Sequence, residues 1–125
     1  MLVSSVAGIQ GVPYIANYSA TKAYSLMLGE AMHDELAPRG VNVTELVPGA
    51  TKTDKIVGSG ANETAAGRMA MPVDVCVRGA LTAVRTNRAV HISGRMNRTT
   101  VALAPRRARL RMFGAMNRCD EQVDG

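Results

Sequence analysis

Two residues near the start of the chain, Tyr18 and Lys22, have side chains and a spacing suited to proton transfer. They lie four positions apart in a segment with a helical pattern, so both side chains share one helix face about one turn apart. An ammonium beside a phenol stabilises the phenolate, and such a tyrosine can exchange a proton with an alcohol or a ketone. Ser5 lies thirteen residues before Tyr18, and its hydroxyl could bind the same substrate oxygen and stabilise charge that develops there.

The elements that must position these residues alternate between strand and helix. Residues 1–3 are an apolar run that predicts the end of a buried strand, and residues 15–36 repeat apolar side chains at helical spacing. β-Branched residues alternate over 41–47, which predicts a second strand that ends at Pro48 and Gly49. The serine therefore falls at a strand end, and the tyrosine and lysine fall in the first turns of the next helix.

The second half of the chain continues the alternation. Residues 51–71 are polar and weakly patterned, which predicts an excursion from the sheet. We expect a helix over 72–86, a short strand over 88–92, and a helix over 97–117 that is interrupted near Pro105. The apolar faces predicted for the first and second helices are, respectively, Ala20, Ala23, Met27, Leu28, Met32 and Leu36, and Val73, Val77, Ala80, Leu81 and Val84.

This order of elements predicts an α/β chain with a short parallel sheet and covering helices. We expect one domain over residues 1–117 and a frayed tail over 118–125. We interpret Asn17 as a cap at the start of the first helix and His33 as a solvated residue on its polar side.

Charge and cysteine content limit the classes of protein to consider. The formal net charge is +5, and nine arginines fall between Arg85 and Arg118; we interpret them as a solvated helix surface or a face that meets another part of a larger protein. Cys76 and Cys119 are too far apart for a metal motif, so we expect no metal site and a reduced, cytoplasmic protein. Residues 1–5 lack the features of a signal peptide, and no stretch is apolar enough to span a bilayer.

Four segments together resemble the short-chain dehydrogenase/reductase family in order and spacing over about residues 1–54. The segments are Val3-Ser4-Ser5-Val6-Ala7-Gly8, Tyr18-Ser19-Ala20-Thr21-Lys22-Ala23, Glu35-Leu36 with Gly40-Val41-Asn42-Val43, and Pro48-Gly49-Ala50-Thr51-Lys52-Thr53. The resemblance implies a partial Rossmann-type three-layer fold that corresponds to the carboxyl-terminal half of such an enzyme.

The resemblance also implies catalytic roles for three residues. Tyr18 would be the general acid in reduction and the general base in oxidation. Lys22 would stabilise the phenolate and bind the nicotinamide ribose, and Ser5 would bind the reacting oxygen. Ser4 would be structural. The implied function is an NAD(P)-dependent oxidoreductase that transfers hydride between nicotinamide and an alcohol or carbonyl substrate.

The implied cofactor is NAD or NADP, held by Tyr18 and Lys22 together with residues of the Pro-Gly segment. That segment contributes Pro48, Gly49, Thr51 and Thr53.

The sequence departs from the family pattern ahead of Ser5. No glycine-rich turn for a pyrophosphate precedes it, so we expect a fragment that lacks the nucleotide-binding half. The expected partners are a small-molecule alcohol or carbonyl compound and either further copies of the chain or the missing half, because a short sheet leaves its edge and faces poorly covered.

Two other functions stay open at this point. The chain could be a non-catalytic remnant that acts only through subunit association. It could also be a basic membrane-surface protein, because Arg106, Arg107, Arg109 and Arg111 lie among apolar residues in one stretch. No aromatic platform supports binding to nucleic acid.

Overall fold

The computed structural model describes residues 1–54 and 65–121. The strands are β1 (Leu2–Val3), β2 (Glu45–Val47), β3 (Thr51–Lys52), β4 (Met71–Pro72) and β5 (Val90–Ile92). The helices are α1 (Ala16–Leu36), α2 (Ala65–Arg68), α3 (Val73–Arg85), α4 (Arg95–Leu103) and α5 (Arg106–Glu121), and short 3₁₀ turns span Val6–Gly8 and Ala37–Arg39. The α/β class and the parallel sheet predicted from the order of elements are therefore confirmed.

The main sheet has three parallel strands in the order β1-β2-β5. Leu2 pairs with Glu45, and Glu45 pairs in turn with Val90, so β2 lies in the centre. A second parallel pair joins β3 to β4, with Thr51 opposite Met71. The carboxyl ends of β1 and β2 therefore lie side by side, and the loops that follow them start from one edge of the sheet.

The second strand is shorter than the predicted 41–47, and a histidine bonds to the segment that precedes it. The Nδ1 atom of His33 lies 2.6 Å from the carbonyl oxygen of Val43. A carbonyl can only accept, so Nδ1 donates this bond. The interpretation of His33 as a solvated residue is wrong, because its ring ties α1 to the approach to β2.

Helix α1 packs on the sheet through small and polar residues. Its buried positions are Ser19 and Gly29, whereas Met27 is 69% exposed and Leu28 is 40% exposed. The apolar face predicted for this helix is therefore wrong at its centre. The predicted cap is also wrong: the helix begins after Ile15 without a side-chain cap, and Asn17 lies inside it.

Helix α3 buries only part of the face predicted for it. Its buried residues are Cys76, Ala80 and Ala83, so the prediction is confirmed at Ala80, while Val77 and Leu81 are 47% and 49% exposed. Small side chains at three- and four-residue spacing let the helix lie close to the sheet. Hydrophobic periodicity ranks the larger residues first, and so it misplaces Val77 and Leu81.

The buried core is small and lies between α3 and the central strand. Leu46, Cys76 and Ala80 form its cluster, and Met71 packs against them. Helix α5 continues to Glu121, past the predicted domain end at residue 117, and residues 122–125 lie outside the described part. Residues 55–64 of the predicted excursion also lie outside it.

None of the helices within residues 1–54 and 65–121 combines the length and the apolar character needed to cross a bilayer. In the same part of the chain, no group of three or more His, Cys, Asp or Glu side chains is placed to hold a metal ion.

Candidate active site

Ser5 lies where β1 gives way to a tight turn. Its extended backbone (φ −162°, ψ 157°) precedes the Val6–Gly8 turn, and its Oγ accepts a hydrogen bond of 3.2 Å from the backbone N–H of Ala7. A hydroxyl that accepts one bond keeps its own O–H as a donor. The residue is 9% exposed, so the turn holds the hydroxyl in a fixed place at the sheet edge.

The turn that follows Ser5 packs directly on the backbone of α1 at Lys22. The Ser4 hydroxyl donates a 2.6 Å hydrogen bond to the Lys22 carbonyl oxygen, in agreement with the structural role expected for Ser4. A Cβ placed on Gly8 would lie 2.7 Å from the Lys22 carbonyl carbon, closer than side-chain atoms are found. Glycine at position 8 therefore lets the turn approach the helix.

Tyr18 and Lys22 come together on one face of α1, as the spacing predicts. The Lys22 Nζ lies 5.8 Å from the centroid of the Tyr18 ring, and it donates a 3.0 Å hydrogen bond to the carbonyl oxygen of Val3 in β1. The ammonium thus links the tyrosine to the strand that ends at Ser5. Among the described residues, Ser5 makes its hydrogen bond within its own turn rather than to Tyr18.

Ser19, which the sequence reasoning missed, fixes the loop before the helix. It is 2% exposed, and its Oγ accepts a 3.2 Å hydrogen bond from the backbone N–H of Val12. Its place between Tyr18 and Ala20 in the Tyr-Ser-Ala-Thr-Lys run is the signal that could have identified it. The bond anchors the segment that leads into Tyr18.

The Pro-Gly segment lies beside the end of β1. The Pro48 carbonyl accepts a 3.0 Å hydrogen bond from the Val6 N–H, and the Thr51 hydroxyl donates a 3.1 Å bond to the Gly49 carbonyl. Thr53 is exposed. The structure therefore brings Pro48, Gly49 and Thr51 next to the turn that follows Ser5.

Asn97 in α4 is a further residue that the sequence reasoning missed. Its Nδ2 donates a 2.8 Å hydrogen bond to the Ser93 carbonyl, and a Cβ on Gly49 would collide with the same Nδ2. The amide therefore packs α4 against the Pro-Gly segment. No motif marks this residue, because the contact depends on how α4 crosses the sheet edge.

Glu45 is a buried acid on the central strand, directly beneath α1. It has no solvent exposure; Ser25 donates a 2.9 Å hydrogen bond to Oε1, and Oε2 has no partner among the described residues. Burial raises the pKa of the Glu45 carboxyl above its usual range, and the Ser25 hydrogen bond and the nearby Lys22 charge oppose that rise.

Helix α5 reaches back to the loop before α1. The Arg118 Nε donates a 2.8 Å hydrogen bond to the Tyr14 hydroxyl, and its guanidinium lies 5.6 Å from the centroid of the Tyr14 ring. Tyr14 has a left-handed φ of 71°, which costs energy for a bulky residue. The contact with Arg118 helps to hold this strained residue four positions before Tyr18.

The side chains at this edge fit the nicotinamide–ribose end of the implied cofactor. An ammonium has three N–H donors, so the bond from Lys22 to Val3 uses one of them and leaves the group suited to ribose hydroxyls. The Tyr18 side chain is 47% exposed, so its hydroxyl is open to a ligand.

Comparison with known proteins identifies the family of this arrangement. The family model for short chain dehydrogenases matches residues 1–64. A 3-oxoacyl-[acyl-carrier-protein] reductase of Synechocystis sp. is 46% identical over 52 residues, which cover 42% of this chain and 21% of that protein. The chain thus spans about a fifth of the length of this curated relative.

Two solved structures are similar in fold as well as in sequence. A short-chain dehydrogenase from Sphingobium yanoikuyae, in complex with NADPH, matches with a TM-score of 0.63 and 32% identity over 72% of this chain and 35% of that one. The bulky-bulky ketone specific alcohol dehydrogenase from Comamonas testosteroni matches with a TM-score of 0.57 and 30% identity over 80% of this chain and 38% of that one. The predicted partial Rossmann-type fold is confirmed by these likenesses. Because the family match covers the half that holds Ser5, Tyr18 and Lys22, the chain belongs to the short-chain dehydrogenase/reductase family.

Proposed function

We propose that this chain supplies the proton-transfer and substrate-binding half of an oxidoreductase that interconverts an alcohol and a carbonyl compound with NAD or NADP. The observation that carries the proposal is the position of the Lys22 ammonium, 5.8 Å from the Tyr18 ring centroid and bonded to the strand that ends at Ser5. The two solved structures described above are a short-chain dehydrogenase and an alcohol dehydrogenase.

The proposed proton transfer takes place at the Tyr18 hydroxyl. In reduction the phenol gives its proton to the oxygen of the carbonyl substrate, and in oxidation the phenolate removes the proton of the alcohol. The Lys22 ammonium stabilises the phenolate through charge. The Ser5 hydroxyl donates to the same substrate oxygen and stabilises the negative charge that forms on it.

The cofactor, when bound, supplies or accepts the hydride. We assign its nicotinamide–ribose end to Tyr18 and Lys22, and its carboxamide end to the Pro-Gly segment through Pro48, Gly49, Thr51 and Thr53. The hydrogen bond between Pro48 and Val6 supports this assignment, since it fixes that segment beside the serine turn.

Replacement of Tyr18 by phenylalanine tests the proposal. We expect Tyr18→Phe to lower the rate of carbonyl reduction by NADH or NADPH about 10²–10⁴-fold, the usual contribution of a general acid. The matched control is Tyr24→Phe, which removes a hydroxyl from the same helix at a position that is 71% exposed. That control should keep the wild-type rate.

Calorimetric titration with NADH and NADPH accompanies the rate measurement. Saturable binding by wild type and by Tyr18→Phe, with activity lost only in the variant, supports catalysis by this chain. A folded sample that binds neither nucleotide, or a Tyr18→Phe variant as active as wild type, would contradict the proposal.

Subunit association is a second candidate function, and exposed apolar side chains favour it. Tyr24 and Met27 on α1 are 71% and 69% exposed. Val77 and Leu81 on α3 are also about half exposed. Exposed apolar surface of this kind is typical of interfaces. The nucleotide titration separates the two candidates, because an associating remnant folds without binding either nucleotide.

A further inference from the structure

A cavity of about 450 Å³ lies beside the turn that follows Ser5. Its wall includes Val6, which follows Ser5, and Ala50, which follows Gly49. Helices α4 and α5 form much of the remaining wall. The volume falls within the range of about 300–1,000 Å³ typical of small-molecule sites, so a ligand in this cavity would reach the sheet edge where Ser5 lies.

Methionine is the most frequent residue type in the described lining of the cavity. Five of the eight methionines of the chain contribute to it. Methionine is flexible and polarisable, so it fits apolar ligands of varied shape. The methionine and aromatic residues of the wall are Met69, Met71, Met96, Met112, Met116 and Phe113.

Few polar groups face the cavity, and one of them is already used. The polar side chains among its described lining residues are Arg95, Asn97 and Thr100. The Asn97 amide donates a hydrogen bond to the Ser93 carbonyl, and Arg95 is exposed. A charged or strongly hydrated ligand would therefore lose its hydrogen bonds to water without enough compensation. An apolar chain has no such hydrogen bonds to replace.

The wall that α5 provides is held in place at several points. Arg109 Nη1 donates a 3.1 Å hydrogen bond to the Val101 carbonyl on α4. A Cβ on Gly114 would lie 3.1 Å from the Pro13 ring, so α5 also packs closely on the loop before α1. The cavity is thus a built feature of the fold rather than a gap beside a loose helix.

We propose that this cavity holds the alkyl chain of the substrate, which makes the substrate class ketones and secondary alcohols that carry an uncharged apolar chain. The inference rests on the proposed function for the identity of the ligand as substrate, but the cavity itself is tested by binding alone. The carbonyl end lies toward Val6 and Ala50, and the chain extends among the methionines.

Methyl-labelled methionine NMR on the full 125-residue chain tests the inference without any turnover. Methyl ketones from butanone to decanone are titrated, and the methionine methyl signals are followed. We expect the signals of the five cavity methionines to shift and those of Met1, Met27 and Met32 to stay. We also expect each added methylene to tighten binding by about fourfold until the cavity is full.

A matched pair of variants locates the binding site. Met112→Gln places an amide in the cavity wall, and we expect it to weaken decanone binding by at least about fourfold, the effect of one lost methylene contact. Met27→Gln makes the same change at an exposed site on α1 and should bind decanone as wild type does. The dispersed methyl spectrum shows directly whether each variant is folded.

The outcomes separate this inference from the proposed function. Shifts at Met27 equal to those of the cavity methionines, or affinity that does not depend on chain length, would overturn the inference. Chain-length-dependent binding without reduction of any ketone by NADH or NADPH would leave the apolar site standing and remove its redox role. Reduction of ketones without any methionine shift would support the proposed redox function and overturn the apolar site.

Discussion

Glu45, on the central strand, places a buried carboxyl group between the sheet and α1. Glu45 occupies a position that β-strand propensity would give to an apolar residue, and Gly29 leaves the room that its carboxylate needs, since a Cβ there would collide with Oε2. Ser25 satisfies only one of the two carboxylate oxygens. The helix that bears Tyr18 and Lys22 therefore rests on a buried, incompletely bonded carboxyl group.

This arrangement predicts a pH dependence of stability. The folded-state pKa of Glu45 is raised, mainly by burial, so folding favours the protonated acid. The stabilisation is complete below the unfolded-state value of about 4.5 and is lost as the pH rises through the higher folded-state value. Glu45→Gln should remove this fall in the free energy of unfolding, and at neutral pH it should be at least as stable as wild type.

Urea unfolding at a series of pH values measures the effect. Glu35→Gln, at an exposed site on α1, serves as control and should keep the wild-type profile. Identical pH profiles for Glu45→Gln and wild type would show that the carboxyl titrates alike in the folded and unfolded chain.

Several site residues could be predicted from their types and spacing, and others could not. Tyr18 and Lys22 share a face because helical geometry alone brings positions four apart together. The proximity of Ser5 and the Pro-Gly segment was expected only through resemblance to a family. Asn97 and Glu45 escaped notice because their importance comes from contacts across the sheet, which no local pattern records.

At the scale of elements, the contact between the Val6–Gly8 turn and α1 decides where Ser5 lies relative to Lys22. The obstacle to a side chain at Gly8 is the Lys22 backbone, which cannot rotate away as a side chain would. We expect Gly8→Ala to destabilise the fold by about 1–3 kcal/mol and to lower carbonyl reduction, because the turn must move away from the helix.

Thermal unfolding and reduction rates of Gly8→Ala check this prediction. Gly11→Ala is the matched control in the same loop. Within residues 1–54 and 65–121, no atom outside the chain neighbours of Gly11 lies within 4 Å of a Cβ placed there, so the change should alter stability by less than about 0.5 kcal/mol. Equal effects of the two substitutions would mean that the close approach at Gly8 has no energetic weight.

Element positions were easier to predict than element faces. The first helix was expected over 15–36 and spans Ala16–Leu36, because Pro38 and Gly40 end its periodic pattern plainly. Its buried face was mispredicted, and that of α3 was predicted correctly only at Ala80, because both helices pack through small or polar residues. Periodicity identifies apolar side chains but not how closely a helix approaches its sheet.

At the scale of the whole molecule, a small core coexists with much exposed apolar surface. The clustered core residues are Leu46, Cys76 and Ala80, while Val77 and Leu81 form an exposed stripe on α3. We expect the chain to self-associate through such surface, with an average mass in light scattering that rises with concentration. Leu81→Lys should reduce the rise, because a buried ammonium is costly at an interface.

The neighbouring Thr82→Lys variant is the control for that experiment. Thr82 is exposed and polar, so a lysine there should leave the concentration dependence as in wild type. A mass that stays monomeric at every concentration, or equal behaviour of the two variants, would rule out association through this face of α3.

The hydrogen bond between Arg118 and Tyr14 joins positions 104 residues apart, a longer span than any other side-chain hydrogen bond recorded within the described ranges. Closing so long a loop is entropically expensive, so we infer that this bond forms after the local contacts of α1 with the turn at Gly8. We therefore expect α5 to dock after α1 and the turn at Gly8 have packed together. Since α5 also walls the apolar cavity, the space proposed for the alkyl chain would close only when that docking is complete.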